Sequence, residues 1–105
     1  MRTETYFVID GKLTIYKTPE ACLLYGIDLS KWLALSGTTL QSVRPSAVSG
    51  VMLDGEPFID GTSVCAWVMG LATEAGAENL LTFEFVCADG KSKDSRTIHF
   101  KKRPG

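Results

Sequence analysis

The side chains that most often carry catalysis are scarce in this sequence. His99 is the one histidine, and it alternates with apolar neighbours, which places it on the outer face of a strand. Hydrolytic and metal sites need a base or several ligands that converge. Four aspartates directly precede glycine, where turn geometry explains them: Asp10, Asp54, Asp60 and Asp89. No glycine-rich phosphate loop is present. We therefore expect no catalytic residue, no metal and no cofactor.

The three cysteines are widely spaced, without a Cys-x-x-Cys pair. Cys22, Trp32 and Cys87 follow the order of the disulfide and core tryptophan of antibody-type domains. However, Trp32 lies outside any alternating segment, and Phe85 stands where a tyrosine is expected. We therefore interpret Cys22, Cys65 and Cys87 as buried free thiols in a protein made in a cytoplasm.

The composition is that of one ordinary globular domain, with 105 residues, 45% hydrophobic and 22% charged. A formal net charge of -1 gives no reason to expect nucleic acid or an anionic membrane as partner. The uncharged stretch at residues 61–73 is shorter than the roughly 20 residues of a membrane span. The N-terminus has too short an apolar run for a signal peptide. We expect neither a membrane nor a small-molecule substrate.

Alternation with a period of two dominates the chain and predicts strands. The clearest case is Leu81, Phe83, Phe85 and Cys87, followed by a polar turn and a second alternating segment around Ile98. These two strands should form an antiparallel hairpin. Other strands are expected at residues 6–9, 12–16, 21–27, 39–43, 50–53 and 63–69. The sequence predicts an all-β, immunoglobulin-like antiparallel β-sandwich of about seven to eight short strands.

Some segments depart from this pattern. A short helical turn is expected near Asp28 to Ala34, and a loop at residues 72–79. Residues 1–17 should add an N-terminal β-hairpin to the single domain of residues 1–105, with residues 102–105 as a flexible tail. The segment 63–69 is apolar on both faces, which fits either a central strand or a strand covered by a partner.

Several short motifs resemble the bacteriophage fiber-tail adaptor proteins. They are residues 18–21 (TPEA), 24–28 (LYGID), 32–34 (WLA), 66–70 (AWVMG) and 87–98 (CADGKSKDSRTI). The similarity spans Thr18 to Lys101, although Leu29 stands where a second tryptophan is common. It implies an immunoglobulin-like component of the virion tail, present in the host cytoplasm before assembly, that joins the tail to receptor-binding fibers. It also implies no enzymatic activity and no cofactor.

An adaptor of this kind requires surfaces for other tail and fiber proteins, and for its own copies if it assembles as a homo-oligomer or ring. Aromatic side chains are enriched at interface hot spots, so Tyr25, Trp32, Phe58 and Trp67 are the candidates. Taken singly, Trp67 and Tyr25 are more typical of a core. The alternative function is a free-standing module that recognises a carbohydrate or cell-surface ligand, with Phe58 and the loop at 72–79 as its candidate site.

Overall fold

Nine strands and one short helix form the part of the chain that the computed structural model describes, namely residues 14–102 and the backbone of residues 5–9. In chain order the elements are β1 (Thr5–Ile9), β2 (Thr14–Lys17), β3 (Cys22–Asp28), α1 (Ser30–Ser36), β4 (Leu40–Ser49), β5 (Met52–Leu53), β6 (Phe58–Asp60), β7 (Ser63–Met69), β8 (Leu80–Cys87) and β9 (Lys93–Lys102).

The strands form two sheets. Sheet A has the order β1-β3-β7-β5, with β6 also paired to β7, and sheet B has the order β2-β9-β8-β4. In the lettering of immunoglobulin domains, β1, β3, β7 and β5 take the order A-B-E-D, while β9, β8 and β4 take the order G-F-C. The predicted all-β sandwich is confirmed.

The predicted N-terminal hairpin is wrong. β1 pairs with β3 in sheet A and β2 pairs with β9 in sheet B, and both pairings are parallel. The Asp10-Gly11 pair that suggested the hairpin lies outside the described residues. Buried Ile15 shows the physical reason for β2, because an apolar side chain there closes the sandwich beside Phe100 only if the strand joins sheet B.

The expected flexible tail also begins too early. Lys102 is the last residue of β9 and pairs in register with Lys17. The strand therefore continues one residue into the segment predicted to be a tail, and residues 103–105 lie outside the described part.

The core lies between the sheets, where the predicted alternation places it. Leu81, Phe83, Phe85 and Cys87 of β8 are all fully buried, and β8 pairs with β9 as the predicted hairpin. Each such aliphatic or aromatic side chain contributes about 1.5–3 kcal/mol on burial. The Tyr25 ring packs edge-on against Phe100, with ring centroids 5.0 Å apart, and so joins the two sheets.

β4 is twice as long as expected because it continues through Pro45 to Ser49. Proline removes a ladder donor and is tolerated on an edge strand, and β4 is the edge of sheet B. The register shifts between Pro45 and Ala47, as at a β-bulge.

The predicted helical turn is confirmed as α1. The Asp28 carboxylate accepts a hydrogen bond from the Ser30 amide at 2.9 Å, and this bond lowers the pKa of Asp28. The helix ends at Gly37, whose φ of 69° is left-handed and whose amide donates to the Leu33 carbonyl. Within the described ranges, no helix has the length and apolar character needed to cross a bilayer.

Candidate docking surface

β7 is a central strand, with β3 on one side and β5 and β6 on the other. Val64, Ala66 and Val68 point into the core. Side chains alternate along a strand, so Trp67 and Met69 project from the outer face of sheet A. The neighbouring strands satisfy the backbone of β7 but do not cover this outer face, which is apolar. The interpretation as a central strand is therefore confirmed, and the outer side chains of the segment remain available to a partner.

Strand register gathers more apolar side chains around Trp67. Leu24 lies directly opposite Trp67 on β3. Met52 lies opposite Met69 on β5, and Phe58 lies opposite Cys65 on β6. We call this set the apolar face: Cys22, Leu24, Met52, Phe58, Cys65, Trp67 and Met69.

The apolar face is only partly covered. Met52 is 62% exposed and Phe58 is 38% exposed, while Leu24, Trp67 and Met69 are half-buried. Contiguous exposed apolar side chains on a folded protein mark a surface that contacts something else, whereas single ones need no explanation. The arrangement can bind by shape and apolar contact.

Cys65 lies in the middle of the apolar face yet is fully buried. This burial raises the pKa of the Cys65 thiol to about 11, and the nearby Asp60 carboxylate adds to the effect. A thiol with so high a pKa is almost entirely protonated at neutral pH, so it acts as a packing group. Cys22 differs because it is exposed, and the interpretation of all three cysteines as buried is wrong for this one.

Carboxylates lie on the strands and turns beside the apolar face. Residues 18–30 and 50–70, which supply β3, β5, β6, β7 and their turns, contain no lysine or arginine but five acidic residues: Glu20, Asp28, Asp54, Glu56 and Asp60. All but Asp28 are exposed. The backbone amide of Asp54 donates to the Trp67 carbonyl at 2.9 Å, which fixes one of these acidic turns beside the central tryptophan.

The structure separates the four predicted interface residues. Tyr25 is fully buried and faces the core, because it is one position out of phase with Leu24 on the strand. Its inclusion among the interface candidates is therefore wrong. Trp32 is half-buried and packs edge-on against Phe85, with centroids 5.3 Å apart. Only Phe58 and Trp67 are brought together on one surface.

Met52 is the member of this surface whose place was hardest to find from the sequence. The two-residue spacing of Trp67 and Met69 already placed them on one face of a strand. Met52 joins them only through the pairing of β5 with β7, and a two-residue strand gives no periodic signal of its own.

A groove lies beside α1, separate from the apolar face, and is lined by the helix and by the turns at residues 37–39 and 61–62. It encloses about 420 Å³ and is open to solvent. Its lining consists of small, hydroxyl and aliphatic side chains, so it offers hydrogen bonds but no acid or base. Among residues 14–102, no cluster of three His, Cys, Asp or Glu side chains is arranged to hold a metal.

Comparison with known proteins agrees with the motifs. No curated protein and no solved structure matches the chain. A family model described as "Podophage GP4 fiber-tail adaptor protein gp77" matches residues 17–101, which include every strand from β3 to β8 and most of β9. The chain therefore belongs to the podophage fiber-tail adaptor family.

Proposed function

We propose that this protein links receptor-binding fibers to the tail of a podophage and does so by protein contacts alone, without catalysis or a cofactor. The observation that carries the proposal is the family match over residues 17–101. The apolar face supports it, since a connector needs surfaces for its neighbours. We also propose that the protein resides in the virion tail, after a period in the host cytoplasm before assembly.

The test is reconstitution with the fiber and tail proteins encoded in the same viral genome. Each is co-expressed with the adaptor, alone and together, and the complexes are sized by chromatography with light scattering. We expect the fiber protein to co-elute with the tail protein only when the adaptor is present. Co-elution without the adaptor, or no co-elution of the adaptor with either protein, would contradict the proposal.

The groove beside α1 supports a second candidate, the free-standing module that binds a carbohydrate. Its volume of about 420 Å³ suits a small sugar. Glycan-array binding that is lost in Thr38→Val and Thr62→Val variants, with no fiber or tail complex formed, would favour this candidate.

We also propose that copies of the protein assemble into a ring only on the tail. Light scattering of the same samples measures the self-association of the free chain.

A further inference from the structure

The outer faces of the two sheets differ sharply in character. The outer face of sheet B is mainly polar, with the exposed Tyr16 at one edge. Thr82 and Thr97 share a hydrogen bond of 2.7 Å there, and the Arg44 Nε donates to Glu84 at 2.8 Å. The outer face of sheet A instead carries Met52, Phe58 and Trp67. The outer face of sheet B is therefore suited to contact with water, whereas the outer face of sheet A is not.

The two faces also differ in charge. The carboxylates of Asp54, Glu56 and Asp60 lie on turns or strands that bound the apolar face, and all three are exposed. The outer face of sheet B carries Lys93, His99 and Lys101 instead, which are also exposed. Complementary potentials guide partner choice, so the acidic boundary selects a partner with basic groups around an apolar centre.

This charge pattern disfavours the simplest self-association. A two-fold dimer through the apolar face would bring each acidic boundary against its own copy, and like charges across an interface are destabilising. Docking this face onto sheet B of another copy would match charge but would bury Lys93, Lys101 and the Arg44–Glu84 pair against apolar side chains. Burying charged side chains against apolar groups, with no opposite charge or hydrogen-bond partner, is costly.

We propose that the apolar face binds a segment of a fiber or tail protein in which aliphatic or aromatic side chains are flanked by lysine or arginine. The inference rests on the proposed function and names the partner chemistry. Trp67 and Phe58 act as rigid anchors at the centre, and the flexible Met52 and Met69 adapt to the shape of the segment. The neighbouring carboxylates pair with its basic residues.

The test measures binding of the purified fiber and tail proteins to the full-length chain and to variants. Met52→Lys places a cation in the apolar face at a side chain that is 62% exposed, so the fold tolerates it. Leu35→Lys is the matched control, because Leu35 lies on α1 and is 90% exposed. We expect Met52→Lys to raise Kd at least about 10-fold and Leu35→Lys to change it less than about 2-fold.

The charged boundary is tested by the double variant Glu56→Lys/Asp60→Lys, with Lys93→Glu/Lys101→Glu as its counterpart on sheet B. Only the first should weaken binding and flatten its dependence on salt. Exposed Cys22 gives a readout independent of substitution, since complex formation should slow its reaction with a thiol reagent. Urea midpoints within error of the unaltered chain show that each variant folds.

The outcomes separate the two proposals. Binding of fiber or tail protein that Met52→Lys leaves unchanged overturns this docking surface and leaves the adaptor function standing. Concentration-dependent dimers of the chain alone that Met52→Lys dissolves would replace the partner with a second copy and overturn the inference. Absence of any complex with the unaltered chain overturns both.

Discussion

The guanidinium of Arg96 lies 5.8 Å from the centroid of the Trp32 ring. It is also 5.7 Å from the Phe85 ring, and its Nη1 lies 2.8 Å from the Asp94 carboxylate. A cation over an aromatic face contributes about 0.5–1 kcal/mol when exposed. Arg96 and Phe85 therefore hold Trp32 in place, and neither contact involves a residue of the apolar face.

We expect Arg96→Ala to lower the free energy of unfolding by about 1–2 kcal/mol, because it loses both the ring contacts and the ion pair. The loss in Arg96→Lys should fall between that of Arg96→Ala and zero, since a compact ammonium lacks the planar guanidinium that lies near both rings. Urea unfolding measures the change. Arg44→Ala is the control, because its side chain is 73% exposed, and it should cost less than about 0.5 kcal/mol. Equal losses in Arg96→Ala and Arg44→Ala would contradict the prediction.

The Asp89 carboxylate organises the turn between β8 and β9. It accepts hydrogen bonds from the Lys91 and Ser92 amides at 2.9 and 2.8 Å and from the Ser92 hydroxyl at 2.6 Å. These bonds, with those to Ser92 the largest cause, hold the pKa of Asp89 below its ordinary value of 3.8. The pKa of Asp94 is also lowered, chiefly by its hydrogen bond from Arg96.

Because these carboxylate pKa values are lower in the folded protein than in the unfolded chain, the free energy of unfolding decreases on acidification. The unfolded chain takes up protons first on acidification, so stability present above pH 3.8 is lost as pH falls through the lower folded pKa. We expect the urea midpoint to fall mainly as the pH drops below about 4, and Asp89→Asn to make that fall shallower. Asp54→Asn is the control, because it removes the carboxylate of another Asp-Gly turn without touching the Asp89 bonds. Identical slopes for all three chains would show that the Asp89 bonds are absent in solution.

The sequence predicted the sandwich because its evidence is local. Leu81, Phe83 and Phe85 alternate without interruption, and the Asp89-Gly90 turn follows at the right distance. The first two strands, in contrast, pair with β3 and β9, and local sequence does not show these pairings. The Asp-Gly pair between them therefore suggested a hairpin that does not form. The docking surface behaves in the same way. Trp67 could be placed on a strand face from sequence, whereas Met52 reaches it only through register.

Gly50 lies where no side chain fits. Its φ is 74°, and a Cβ there would collide with the side chain of Asn79 and the carbonyl of Glu78. Asn79 in turn holds the loop at residues 72–79, because its side chain exchanges two hydrogen bonds with the Ala72 backbone, at 2.7 and 3.0 Å.

We expect Gly50→Ala to destabilise the protein by more than the roughly 1 kcal/mol that an unfavourable φ alone costs. Gly55→Ala isolates that cost. Gly55 also has a positive φ, of 94°, but a Cβ there would meet no atom of the described residues within 4 Å. Thermal unfolding of both variants gives the difference. If Gly50→Ala were no worse than Gly55→Ala, the contact with Asn79 would not be formed.

Lys17 is buried with its ammonium turned inward and is 1% exposed. Its Nζ donates to the carbonyls of Thr18, Ala21 and Gly70 at 3.0, 2.6 and 2.7 Å. Burial lowers the pKa of Lys17. We expect Lys17→Met, which keeps the aliphatic stem, to cost about 1–3 kcal/mol because buried carbonyls lose their donor. Lys101→Met, on the exposed face of β9, should be near neutral in the same urea titration, and equal stability of the two variants would contradict the assignment.

The three thiols should differ in reactivity. Cys22 is exposed, whereas Cys65 and Cys87 are buried, and burial raises the pKa of both buried thiols. Only the thiolate reacts with a disulfide reagent, so at pH 8 we expect one thiol to react quickly in the folded protein and three after unfolding in urea. Cys22→Ser should abolish the fast reaction without changing the slow ones. A fast second thiol would mean that the folded protein opens around Cys65 or Cys87. A total of one thiol after unfolding without reductant would mean that a disulfide is present. The structure keeps the Cys22 and Cys87 thiols apart, because Cys22 projects outward from sheet A and Cys87 faces the core from sheet B.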